Sequence, residues 1–325
     1  MYELIPLPLS AGTLAEYGGA AGLRRELADL GCQGTEAIWA GEPVPAEFPR
    51  ELAVGWHLTF FTDWLDLYRE DRSMLLEKYG SMEEARRFYG GLGADYLLEV
   101  YRADLARAKA MGVKYIVFHV SDVSIEEGYT YRWLHSNEEV IDSAAEAVNT
   151  LLDGRDWPFD FLMENQWWPG FTFLEPKETA RLLERVHYHR RGILLDTGHL
   201  MNANTKLRTQ AEGAAYIRTM VEKHGSLAGE IRGIHLHQSL SGDYVRSNTG
   251  FLPHDLPEDY TARYCVSYRH IQRIDRHLPW SDPSIIPVLA QIKLKYVTHE
   301  LSCGSRQQRW DAVCQQRNLL LHGGF

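Results

Sequence analysis

Short apolar runs that end on a histidine or a carboxylate recur along this chain. The clearest is Gly192-Ile193-Leu194-Leu195-Asp196, followed by Thr197-Gly198-His199. An unbroken apolar run of that length suits a strand buried on both faces, as in a parallel sheet. That reading puts Asp196 at the strand end and His199 on the loop after it. Further strand-like stretches cover 3–9, 35–39, 52–58, 115–119, 159–163, 231–236 and 296–300. Helical patterns fall between them. They are 23–30 closed by Gly31, 73–111 as two helices broken near Gly90–Gly93, 138–152 capped by Asn137, 176–186, 209–224, 262–274 and 306–321. Eight strands alternating with helices over 325 residues predict an α/β fold, a (β/α)8 barrel. We expect one domain over 1–325, with 238–280 as an enlarged loop, an insertion or lid, after the seventh strand.

Composition narrows the partners. The net charge is −10, which weighs against nucleic acid, because a duplex binder usually carries a basic footprint. No apolar stretch reaches the roughly 18 residues that span a bilayer, so no membrane is expected. The start, Met1-Tyr2-Glu3-Leu4-Ile5, lacks a basic region and an apolar core, and the four cysteines form no CxxC pair. Both features point to a reduced, cytoplasmic protein, and the expected partner is a small-molecule substrate. The chain is compatible with an oligomer. Gly90-Gly91-Leu92-Gly93 lacks the GxGxxG spacing of a nucleotide loop.

Five predicted strands end on His57, His119, Glu164, Asp196 and Glu300, and the seventh carries His235. In a parallel barrel these ends meet on one rim, where barrel active sites lie. Packing carboxylates together without a cation raises their pKa and costs stability, and a metal resolves that conflict. Imidazoles mixed with carboxylates suit Zn, Mn or Fe rather than Mg or Ca.

With these motifs in order, the chain resembles the xylose-isomerase-like TIM barrels, the AP endonuclease family 2 that also holds endonuclease IV. The resemblance implies one to three divalent ions per chain. It implies a first site from His57, His119 and a bridging Glu164. A second site follows from Glu164, Asp196, His235 and Glu300, and a third from His199, Asp275 and His277. The last two lie in Asp275-Arg276-His277, which matches the family's Asp-Arg-His element, and His254 competes with them. The departures are the long 238–280 segment and His237 in place of the family's asparagine or lysine. His237 is read as a ligand, a substrate contact or a group behind a ligand.

Several metals favour hydrolysis, with a metal-activated water as nucleophile and Glu164, Glu300 and Asp196 as the catalytic carboxylates. Trp167, Trp168, His237 and His254 are the candidate substrate contacts. Phe171, Phe173, Tyr244 and Arg246 are further candidates for an aromatic, lidded rim. The expected substrate is bulky and not DNA. The superfamily includes an amidohydrolase that remodels cobamides, and such a substrate would suit that rim. The alternative is a one-metal sugar or sugar-phosphate isomerase or epimerase, and behind it an apurinic-site endonuclease. His299 is read as structural, and His187 and His189, at the barrel bottom, are given no function.

Overall fold

A computed structural model describes residues 1–324. Eight parallel strands run β1 Tyr2–Leu9, β2 Gly34–Trp39, β3 Ala53–His57, β4 Tyr115–His119, β5 Asp160–Glu164, β6 Arg191–Asp196, β7 Ile231–His235 and β8 Tyr296–Thr298. Each pairs with the next, and β1 pairs with β8, so the sheet closes on itself. Closure leaves no free sheet edge. The predicted barrel is the observed fold.

Side chains alternate inward and outward along the strands, except at the register shifts between β2 and β3 and between β6 and β7. Leu4, Val54, Tyr115, Val117, Leu162, Leu194 and Tyr296 fill the barrel interior as one apolar cluster. Gly55 is required there. A Cβ at that position would come within 2.3 Å of the Tyr115 ring. Two residues further along the same inward rows come His57, His119, Glu164 and Asp196. The site therefore sits directly on the apolar layers.

The local reading needs several corrections. The region 73–111 is three helices, Arg72–Tyr79, Met82–Tyr89 and Ala94–Met111, because Gly80 ends the first in a left-handed conformation and Ser81 caps the second. Ser136, not Asn137, caps the helix Asn137–Leu152, in a capping box with Glu139. His199 lies on a short helix, Thr197–Asn202, rather than on a loop. The eighth strand stops at Thr298, and Glu300 follows it in a turn. The segment after β7 holds two helices, Gly242–Asn248 and Tyr260–Ile274.

The two chain ends are tied together at Glu3. Its carboxylate accepts from Arg317 on the last helix, Arg306–His322, and pairs with His299 Nε2 at 3.3 Å. His299 also receives Gln316 Nε2 at 2.8 Å, which bears out its structural role. Burial raises the Glu3 carboxyl, but these partners outweigh it and hold the group at about 2. A depressed carboxyl adds stability above its unfolded pKa and loses it as pH falls through the folded value. Glu3→Gln should therefore lower the unfolding free energy by about 2 kcal/mol at pH 7. In chemical denaturation the gap to the wild type should close as pH falls from about 4.5 towards 2. A gap that persists at pH 2 would rule the ion pair out as its cause.

Candidate metal centre

Strand register brings the ligands side by side. His119 pairs with Glu164 across β4 and β5, and Asp196 with His235 across β6 and β7. Three groups result, each with ligand atoms within 4.8 Å of one another: His57, His119 and Glu164; Glu164, Asp196, His235 and Glu300; and His199, His237, Asp275 and His277. Glu164 belongs to the first two.

The spacing can be tested against a metal. Four ligands at 2.0–2.2 Å around a tetrahedral ion lie about 3.3 Å apart. In the first group His57 Nε2 and His119 Nε2 are 3.0 Å apart, and Glu164 Oε2 is 3.6 and 3.1 Å from them. In the second, His235 Nδ1 is 3.3 Å from Glu164 Oε1, 3.6 Å from Asp196 Oδ2 and 2.9 Å from Glu300 Oε2. In the third, Asp275 Oδ2 is 3.1 Å from His199 Nε2 and 2.5 Å from His277 Nε2.

In four of the histidines the other ring nitrogen is already engaged. His57 Nδ1 faces Leu58 O at 2.9 Å, His199 Nδ1 faces Asn165 O at 3.0 Å, and His277 Nδ1 faces Glu300 O at 3.1 Å. His235 Nε2 faces Glu36 Oε1 at 3.0 Å. An N–H given to an oxygen leaves the opposite nitrogen as a lone pair, the form a metal takes. Both Glu164 oxygens, His235 Nδ1 and Glu300 Oε2 are buried without a hydrogen bond. Lone pairs that converge without a shared proton are what an ion would satisfy. No Lys or Arg pairs with Glu164, Asp196, Asp275 or Glu300 among the described residues. The residues present fit divalent ions.

Charge sharing within the centre is strong. Burial opposes ionisation of Glu164, yet His119 and His235 hold its carboxyl well below the usual range. Burial likewise opposes ionisation of Asp275, where His277 and His199 prevail. Burial disfavours the His277 imidazolium, but Asp275 and Glu300 lift it to about 9. His119 goes the other way, because burial outweighs the pull of Glu164 and lowers its pKa. Bound divalent ions would displace the protons these rings share.

Asp196 does two jobs. Its Oδ1 caps the Thr197–Asn202 helix through His199 N at 2.6 Å, and its Oδ2 faces the site. This cap explains why Thr-Gly-His is helical after a strand. Asn165 pins Asp196 from both sides, through Asp196 N at 2.8 Å and Asp196 O at 3.1 Å.

A cavity of about 430 Å³ opens onto the centre. His57, His119, His199, Asp275, His277 and Glu300 line its floor, whereas Glu164, Asp196 and His235 lie beneath. Trp167 and Trp168 line it, packed together with ring centroids 4.2 Å apart and planes tilted by 40°. The helix Tyr260–Ile274 forms a wall through Tyr264, Tyr268 and Ile271. The other candidates lie elsewhere. His254 is exposed and away from the cavity. Phe171 and Phe173 are core residues, and His237 is fully buried beside Asp196 rather than on the cavity surface. Tyr244 braces His270 at 3.0 Å, and Arg246 bonds Thr205 O.

Sequence reasoning missed Glu36. It is fully buried on β2 and binds His235 Nε2, Tyr115 Oη at 2.6 Å and Thr298 Oγ1 at 3.1 Å. A carboxylate behind a ligating imidazole fixes its tautomer and orientation. Glu36→Gln should weaken metal affinity at the second group by roughly 10–100-fold. Competition with a chelator measures this, and unchanged affinity would reduce Glu36 to a packing role.

The family described as xylose isomerase-like TIM barrel matches residues 25–292. No curated protein matches the chain. Among solved structures the chain is similar to endonuclease IV from Thermus thermophilus, at 15% identity over 99% of this chain and 100% of that one, TM-score 0.51. It is also similar to an L-ribulose 3-epimerase, at 12% identity over 98% and 93%, TM-score 0.50. A D-tagatose 3-epimerase-like protein matches at 13% identity over 98% and 88%, TM-score 0.50. At these identities the likeness is one of fold.

Proposed function

The chain belongs to the xylose isomerase-like TIM barrel family, and on that premise we propose that it is a metal-dependent hydrolase of a bulky substrate other than DNA. One observation carries this. Glu164 turns one oxygen to the His57–His119 group and the other to the Asp196–His235–Glu300 group. A carboxylate shared in that way serves paired ions, and paired ions suit hydrolysis better than enolisation. Bound there, they would supply an activated water and an electrophile for the scissile group.

The chain's own residues take the remaining roles. Glu300 is the one carboxylate of the second group that reaches the cavity surface. Burial would raise its pKa, but His235 and His277 hold it below the usual range, so it is ionised at neutral pH. It is the candidate to take a proton from water and return it to the leaving group. Glu164 sets the spacing between the groups, and Asp196 orients the second. Trp167, Trp168 and the Tyr260–Ile274 helix exclude water and hold an apolar portion of substrate. Among the described residues lining the cavity none is Lys or Arg. With a net charge of −10, that disfavours a nucleic-acid substrate. No helix is long and apolar enough to cross a membrane. A 430 Å³ cavity would admit the side arm of a cobamide-type amide rather than its macrocycle.

The isomerase or epimerase reading keeps one point in its favour, since Glu164, Asp196, His235 and Glu300 make a complete four-ligand group alone. Metal content separates the two. Elemental analysis of protein purified without chelator should give two or three equivalents of Zn, Mn or Fe. His57→Ala should lose about one of them. It should also cut amide or phosphate-ester hydrolysis by more than the roughly 10–100-fold typical of outer-shell changes. A single equivalent that His57→Ala leaves in place would overturn the hydrolase reading and direct assays to sugar phosphates.

A further inference from the structure

His237 is fully buried, and its backbone is pinned. His237 O accepts from Trp280 Nε1 at 2.9 Å and from Thr197 Oγ1 at 2.5 Å. The ring has one usable nitrogen. Its Nδ1 edge packs on Gly198, where a Cβ would sit 2.3 Å from Nδ1 and 2.0 Å from Cε1. Nδ1 has no hydrogen-bond partner. Nε2 is therefore the nitrogen turned to the centre, 2.9 Å from Asp196 Oδ2.

The three imidazoles of the third group lie together, with His237 and His277 stacked at an interplanar angle of 12°. The ring centroids of His199 and His237 are 5.9 Å apart, those of His199 and His277 6.2 Å, and those of His237 and His277 4.1 Å. Three rings bound through nitrogen at 2.0–2.1 Å to one tetrahedral ion would place their centroids about 5 Å apart, so the stacked His237–His277 pair would open by about 1 Å on binding. Asp275 adds an oxygen to the same group.

We propose that His237 is a fourth protein ligand of the third group, making it a closed site of three histidines and one aspartate that fixes the end of the cavity-wall helix. This rests on the metal reading above. A tetrahedral site with four protein ligands is structural, whereas a reaction site keeps one position open. The location agrees. Asp275 is the residue that ends the Tyr260–Ile274 helix, and His277 follows with φ of 46°, a left-handed conformation costly for a histidine. Coordination at both positions would hold that turn. The chemistry then belongs to the first two groups, and the third sets the wall that shapes the cavity.

The competing role for His237 is a hydrogen bond that merely orients Asp196. Zinc titration and hydrogen exchange on the full chain decide between them. The wild type should bind three zinc ions. His237→Asn should bind the third at least 10-fold more weakly, with faster exchange over 268–277. Gly198→Ala, which keeps the imidazole but displaces it, should lose the same ion. Unchanged third-site affinity and unchanged exchange in both variants would overturn the proposal. A variant-free check is stepwise chelation of the wild type, in which protection of the helix end should persist until the last ion leaves. Protection lost with the first ion would also overturn it. Wild-type protein that binds one ion or none would instead bring down the metal-cluster reading itself.

Discussion

The rim depends on the buried negative charge of Glu164, Asp196, Asp275 and Glu300, which no Lys or Arg among the described residues answers. Imidazoles answer it in the absence of metal, at the cost of holding protons on buried rings. That compromise explains the opposed behaviour of neighbouring histidines. His277 is pulled up by Asp275, while His119 is pushed down by burial. Divalent ions remove the compromise, since they neutralise the carboxylates and need the rings unprotonated. The same charge balance would favour divalent ions bound there.

The barrel supplies the precision this requires. Pairing of His119 with Glu164 and of Asp196 with His235 is a matter of register, and a slip by one residue would turn each donor outward. Register is in turn held by the interior layer of Tyr115, Val117, Leu162 and Leu194, whose burial leaves no alternative face. A second set of groups holds the ligands from behind. Asn165 fixes Asp196 and His199, and Glu36 fixes His235. Ligands placed on strands and braced in this way arrive preorganised.

How far the sequence carried the reading follows from this arrangement. A metal ligand at the end of an apolar run stands out because a polar group there breaks the pattern, so His57, His119, Glu164 and Asp196 could be read. Glu36 could not. It lies in Gly34-Thr35-Glu36-Ala37, which looks like ordinary alternation with a solvent-facing face. Its partner His235 is 199 residues away, and only barrel closure brings the two together. His254 shows the converse. Its residue type suits a ligand, but nothing local in Leu-Pro-His-Asp says that the segment stays on the surface. Glu36 and His254 were thus beyond local pattern because closure and exposure are tertiary facts. The turn that holds Asp275 and His277 differed again, since the motif was legible while its attachment to a wall helix was not.

That attachment has a consequence for how such a site can change. Ile271 lines the cavity, and Asp275, four residues on, faces the third group. Ser239 ties the junction, its hydroxyl donating to Ile274 O and accepting from Arg276 N at 2.9 Å. A helix shifted to admit a different substrate would drag Asp275 with it by a comparable distance. Ligand spacing tolerates little of that, because coordination distances are fixed to a few tenths of an ångström. Substrate range in this chain should therefore vary through side chains on the wall, such as Tyr264, Tyr268 and Ile271, rather than through movement of the helix. The aromatic surface and the candidate metal centre thus meet along one helix and the turn that ends it.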